Sequence, residues 1–104
     1  MLPPDSQFEE AAIAESAEKV EEPPLFKVLL HNDDFTTMEF VVWILESVFN
    51  MPEEQAIQVM LNVHLRGVGV AGIYTFEVAE TKVERTTALA REQEYPLLVT
   101  MERA

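Results

Sequence analysis

Leu25-Phe26-Lys27-Val28-Leu29-Leu30, then Asn32-Asp33-Asp34, then Thr36-Thr37-Met38, is the stretch whose reading decides the fold. Phe26, Val28 and Leu30 alternate with Leu25, Lys27 and Leu29, the period-two signature of a strand with one strongly buried face. The Asn-Asp-Asp run breaks that strand, because these short polar side chains bond nearby backbone amides and favour turns. Thr36 followed by Glu39 reads as a capping box, in which the threonine oxygen takes one free amide and the glutamate reaches back to another. A helix from about Thr37 to Phe49 should follow, with Met38, Val41, Leu45 and Val48 on one face.

Downstream, Pro52 suits the first turn of a second helix, and Glu53 and Glu54 complement its positive end. Ala56, Met60 and Val63 form the inward stripe of that helix, His64 lies on the same side, and Gly67 suits its stop. Val68 to about Phe76 reads as a second strand, in which Gly69 and Gly72 weaken the pattern or allow a close backbone approach. A third helix is expected from about Val78 to Glu92, with Val83, Thr86, Leu89 and Ala90 inward. Pro96 leads into a last strand, Leu97 to Glu102. The predicted order is β-α-α-β-α-β, a small α+β domain with a three-stranded antiparallel sheet packed against three helices.

The two parts of the chain differ in charge. Residues 1–22 hold seven acids and one base, a net charge of −6, with Pro3, Pro4 and then Pro23-Pro24 as punctuation. Residues 1–23 are therefore expected to form an acidic, flexible extension, and residues 24–104 the folded domain. The whole chain has 104 residues and a formal charge of −12. That balance disfavours nucleic acid, whose phosphates call for clustered Lys and Arg, and equally an anionic membrane surface. With no cysteine there is no disulfide, no thiolate metal site and no cysteine nucleophile. No apolar run approaches a membrane span and the N-terminus lacks the layout of a signal peptide, so a cytoplasmic, monomeric protein is expected.

Catalytic chemistry finds little support. The serines are Ser6 and Ser16 in the extension and Ser47, which has no evident base as partner, so an enzyme is not expected. His31, Asp33, Asp34 and His64 are metal-ligand types, but no compact His-x-x-His or Glu-x-x-His spacing occurs, and no metal or cofactor is expected. What remains is a constellation. If the first two helices pack side by side, an anionic loop and a neutral imidazole border a pocket of Met and Val. Such a pocket suits a ligand with a cation at one end and an apolar group at the other; alternatively Met38 and Met60 are plain core filler.

Four stretches bear a resemblance. Val28-Leu-Leu-His-Asn-Asp-Asp-Phe-Thr-Thr-Met-Glu-Phe-Val41, Met60-Leu-Asn-Val-His64, Phe76-Glu-Val-Ala-Glu-Thr-Lys-Val83 and Pro96-Leu-Leu-Val-Thr-Met-Glu102 resemble, in order, segments of the ClpS adaptor family. The resemblance covers about residues 24–104. It implies a non-catalytic adaptor that binds proteins with a destabilising N-terminal Leu, Phe, Tyr or Trp. The adaptor then delivers them to a AAA+ unfoldase, ClpA or a ClpC-type relative, for degradation by ClpP. It implies α-amino contacts at Asn32, Asp33 and His64, and a side-chain pocket of Thr36, Met38, Val41, Met60, Val63 and Leu97, with Met38 as a gate against β-branched residues. It also implies an unfoldase contact at Glu77 and Lys82. Trp43 departs from the polar residue usual at its position. The rival expectation is a protein-interaction module of similar fold without such specificity.

Overall fold

The computed structural model describes residues 22–104. The acidic extension expected over residues 1–23 lies, up to residue 21, outside the described residues. Strand β1 (Leu25–His31) is followed by helix α1 (Met38–Ser47), helix α2 (Glu53–Arg66), strand β2 (Val68–Thr75), helix α3 (Phe76–Glu92) and strand β3 (Leu98–Arg103). The expected β-α-α-β-α-β order is the observed one. The sheet runs β2-β1-β3, with both pairings antiparallel, so the strand that sequence patterning reads best lies in the centre.

The alternation in β1 does what it predicts. Val28 and Leu30 are fully buried and Phe26 packs against the core, which Ile44, Leu45, Ala56, Ala79, Ala90 and Val99 complete. The buried face of α1 is wider than the expected stripe, because Phe40 and Ile44 join Val41 and Leu45. Helix α3 lies on the sheet, and α1 packs on α2. Among the described residues no helix is long and apolar enough to cross a membrane.

Three boundaries differ from expectation, each for a local reason. Thr37, not Thr36, caps α1: its backbone is extended and its side chain accepts the Phe40 amide at 3.2 Å. Thr36 is withdrawn from capping because its amide and hydroxyl both bond Asp33. Helix α1 stops at Ser47 rather than Phe49; Asn50 takes a left-handed conformation (φ 55°), and the Met51 amide reaches back to the Leu45 carbonyl at 3.1 Å. Helix α3 begins at Phe76, directly after an extended Thr75, and the Phe76 ring sets its edge against Phe26 at 5.3 Å.

Strand β2 carries a bulge. The β1–β2 register steps between Val28↔Gly72 and Leu29↔Val70, leaving Ala71 as the extra residue. The bulge resets the alternation, so Ala71 is buried while Ile73 turns outward and stands 52% exposed.

Candidate functional site

The turn after β1 is organised by one carboxylate. Asp33 Oδ1 accepts the Phe35 amide at 2.8 Å and the Thr36 amide at 2.7 Å, and Oδ2 accepts the Thr36 hydroxyl at 2.7 Å. Burial pushes the Asp33 carboxyl up, but the amide and hydroxyl of Thr36, the amide of Phe35 and the positive field of Arg91 outweigh it, and the net shift is downward. Asp33 is thus a fixed anion at neutral pH. Its three bonds leave lone pairs free for a further donor.

The opposite lip is the end of α2. Gly67 closes that helix in the left-handed conformation (φ 88°), where a glycine meets no Cβ penalty, and its amide bonds the Val63 carbonyl at 2.9 Å. The Gly67 carbonyl in turn accepts the Asn32 amide at 2.9 Å. One hydrogen bond therefore splices the end of β1, with Asn32 and Asp33, to the last turn of α2, with exposed His64.

Between the lips lies a cavity of about 450 Å3. Asn32, Asp33 and His64 line it together with Thr36, Met38, Val41, Met60 and Val63. Val41 and Val63 form a buried floor, at 5% and 3% exposure, while Met60 is half-buried and Met38 stands exposed at the entrance. Acceptors thus crowd one end and flexible apolar side chains line the other. A ligand carrying an ammonium beside a large apolar group matches both halves.

The family model of the ATP-dependent Clp protease adaptor protein ClpS matches residues 21–100. The chain belongs to the ClpS family. A ClpS of Methylococcus capsulatus is 58% identical over 93 residues, spanning 89% of this chain and 88% of that protein. A ClpS of Myxococcus xanthus is 52% identical over 98 residues, covering 92% of each. The structure of Agrobacterium tumefaciens ClpS2 bound to L-phenylalaninamide superposes with a TM-score of 0.77 at 40% identity, over 80% of this chain and all (100%) of that one.

Of the site residues that the ClpS resemblance implies, Leu97 stands apart. It precedes β3, is 1% exposed, and is sealed in the core rather than on the cavity wall. In the turn before it, Arg91 donates to the Tyr95 carbonyl at 2.6 Å and the Leu97 carbonyl at 3.2 Å, which ties this backbone to the end of α3. Conversely, Phe35, Thr37 and Glu39 line the cavity and carried no site expectation, while Asp34, part of the expected anionic loop, lines it as well. Phe35, 75% exposed at the lip, carried a readable signal, a large aromatic inside a polar turn. His31 belongs elsewhere: its Nε2 pairs with the Thr100 hydroxyl at 2.7 Å across the sheet.

Glu77 and Lys82 border a separate depression, with Val78, Thr81 and Arg85, on α3. Lys82 has a structural duty that the sequence did not reveal. Its ammonium donates to the Val48 carbonyl at 2.5 Å, at the negative end of α1, and lies 5.9 Å and 5.8 Å from the Phe49 and Tyr74 ring centroids.

Proposed function

We propose that this protein is a non-catalytic, cytoplasmic adaptor that captures proteins by a free N-terminal Leu, Phe, Tyr or Trp and presents them to the N-terminal domain of a ClpA- or ClpC-type unfoldase. Residues 24–104 are the binding domain in this reading and residues 1–23 an extension to it. The observation that carries the reading is one cavity with Asn32, Asp33 and His64 at its lips and Met38, Val41, Met60 and Val63 along its walls.

The α-ammonium of a peptide has three donors. Asp33 supplies negative charge, the Asn32 side-chain oxygen accepts, and a His64 ring nitrogen accepts. Charge-assisted bonds contribute about 1.5–3 kcal/mol each, and burying a Leu or Phe side chain adds about 1.5–3 kcal/mol. Association costs about 4 kcal/mol or more, so the two halves together leave about 2–8 kcal/mol, with micromolar affinity, about −8 kcal/mol, at the favourable end, and either half alone falls short of it. The site thereby reads both what the residue is and that it comes first. Fluorescence anisotropy with Phe-starting and Ser-starting peptides tests this. The Phe peptide should bind about tenfold or more tighter, the worth of one buried ring; equal affinities would remove the side-chain pocket.

Met38 is the gate. Leu, Phe, Tyr and Trp branch at or beyond the γ carbon and pass a narrow neck, whereas Val and Ile branch at the β carbon and collide with the methionine. Met38→Ala should therefore admit Ile- and Val-starting peptides, with a gain of about tenfold, on the order of one relieved overpacking contact. Titrations that show no gain for either peptide would retire the gate.

Glu77 and Lys82 mark the delivery surface in this reading. Reversing Lys82 also strips the Val48 carbonyl of its partner, so Glu77→Lys is the cleaner probe. A pull-down on an unfoldase N-terminal domain should lose most of its signal with Glu77→Lys. Full capture would point to another patch.

A further inference from the structure

One residue of the cavity lining has no duty in gripping a first residue. Phe35 stands 75% exposed at the lip, within a turn whose other members, Asn32, Asp33, Asp34, Thr36 and Thr37, are polar. It belongs neither to the core nor to any ring pair among the described residues. Single exposed apolar side chains are ordinary and mean little by themselves. Position separates this one from the rest. Leu65 is as exposed, at 76%, and follows His64, yet it stands about 100° round α2 from that residue and does not line the cavity. Phe35 does.

The backbone of Phe35 is held by the same group that meets the ligand. Its amide donates to Asp33 Oδ1 at 2.8 Å, so the Phe35 Cα lies within about 4.3 Å of that oxygen. A peptide whose α-ammonium sits on Asp33 carries its second Cα about 3.8 Å beyond its first. Its first side chain enters toward the buried floor of Val41 and Val63. The side chain that passes the lip is therefore the second. An aromatic or long aliphatic group there can lie on the Phe35 ring, whereas a methyl group offers it little area. Because Asp33 already ties the amides of Phe35 and Thr36, the turn needs no ordering when that contact forms.

We infer that Phe35 sets specificity for the second residue of the captured chain, its ring forming one wall of a subsite that favours a large apolar or aromatic side chain. The inference rests on the reading of Asp33 as the anchor of a free N-terminus and extends that reading from one residue to two.

Anisotropy on the full-length protein with peptides starting Phe-Trp and Phe-Ala, each with a free or an acetylated N-terminus, tests this. Asp34 and Glu39 also line the cavity, so the second residue is varied only between uncharged side chains. The free Phe-Trp peptide should bind about fivefold tighter than free Phe-Ala, the worth of one aromatic pair. Phe35→Ala, which leaves the backbone bond to Asp33 in place, should shrink that ratio below about twofold with the Phe-Ala affinity nearly unchanged. Phe35→Tyr should keep the native ratio, and so should Leu65→Ala, which truncates an equally exposed side chain off the cavity. A Trp preference that is absent from the native chain, or that survives Phe35→Ala, would overturn the subsite. The reading of the first residue would then still stand if free Phe-Ala binds far tighter than its acetylated form. If acetylation changes nothing, the anchor is lost and the subsite falls with it.

Discussion

Acetylating the α-amino group of a Phe-starting peptide should weaken its binding by at least about a hundredfold, the loss of two charge-assisted hydrogen bonds at about 1.5–3 kcal/mol each. The argument rests on what lines the lips of the cavity. Asn32, Asp33 and His64 offer acceptors there, and an ammonium is the one peptide group that can donate to all of them at once. An acetyl cap removes the cation, leaves a single amide donor, and puts a carbonyl oxygen beside the fixed anion of Asp33. The apolar half of the ligand is untouched, so the residual affinity measures the walls alone. Anisotropy with a fluorophore at the peptide's far end reads this directly. If capped and free peptides bind alike, the cavity does not read N-termini.

Asp33→Ala should lower affinity for the same peptide by about a hundredfold, and Asp33→Asn by about tenfold. The two variants separate two duties. Alanine removes the negative charge and also the acceptor of three bonds that shape the lip, from the Phe35 amide, the Thr36 amide and the Thr36 hydroxyl. Asparagine keeps an oxygen for the two amides and loses the charge. The gap between the variants therefore reports the shape of the turn, and the gap between asparagine and the native chain reports the anion. Asp33 lies in a part-exposed turn, so the cost in global stability should stay near 1 kcal/mol, visible as a small change in the urea midpoint. Native-like affinity in Asp33→Ala would take the residue out of the site.

Much of this was legible beforehand, and for identifiable reasons. The alternation of Phe26, Val28 and Leu30 located the central strand, since a strand buried on one face has little freedom to be written otherwise. Gly67 announced the stop of α2 because only glycine adopts its backbone without strain. The cavity followed from the Asn-Asp-Asp turn and the Met60–His64 turn, which lie far apart in the chain and meet in space. Two things were hidden. The duty of Thr36 could not be told from a capping role, because a threonine oxygen serves a helix amide or a neighbouring carboxylate equally well, and only three-dimensional competition decides. The packing of Leu97 and the structural bond of Lys82 were hidden for a related reason. Their neighbours, Arg91 for the one and the Val48 carbonyl for the other, are long-reach or backbone partners that no periodic pattern encodes.

The bond from the Asn32 amide to the Gly67 carbonyl has a last implication. Because it ties both jaws to one another, the grip should change little in width when a ligand enters. A visiting chain end need not wait for loops to gather round it, and discrimination becomes a matter of fit to a finished mould, with capture rates set by diffusion and orientation instead of by rearrangement.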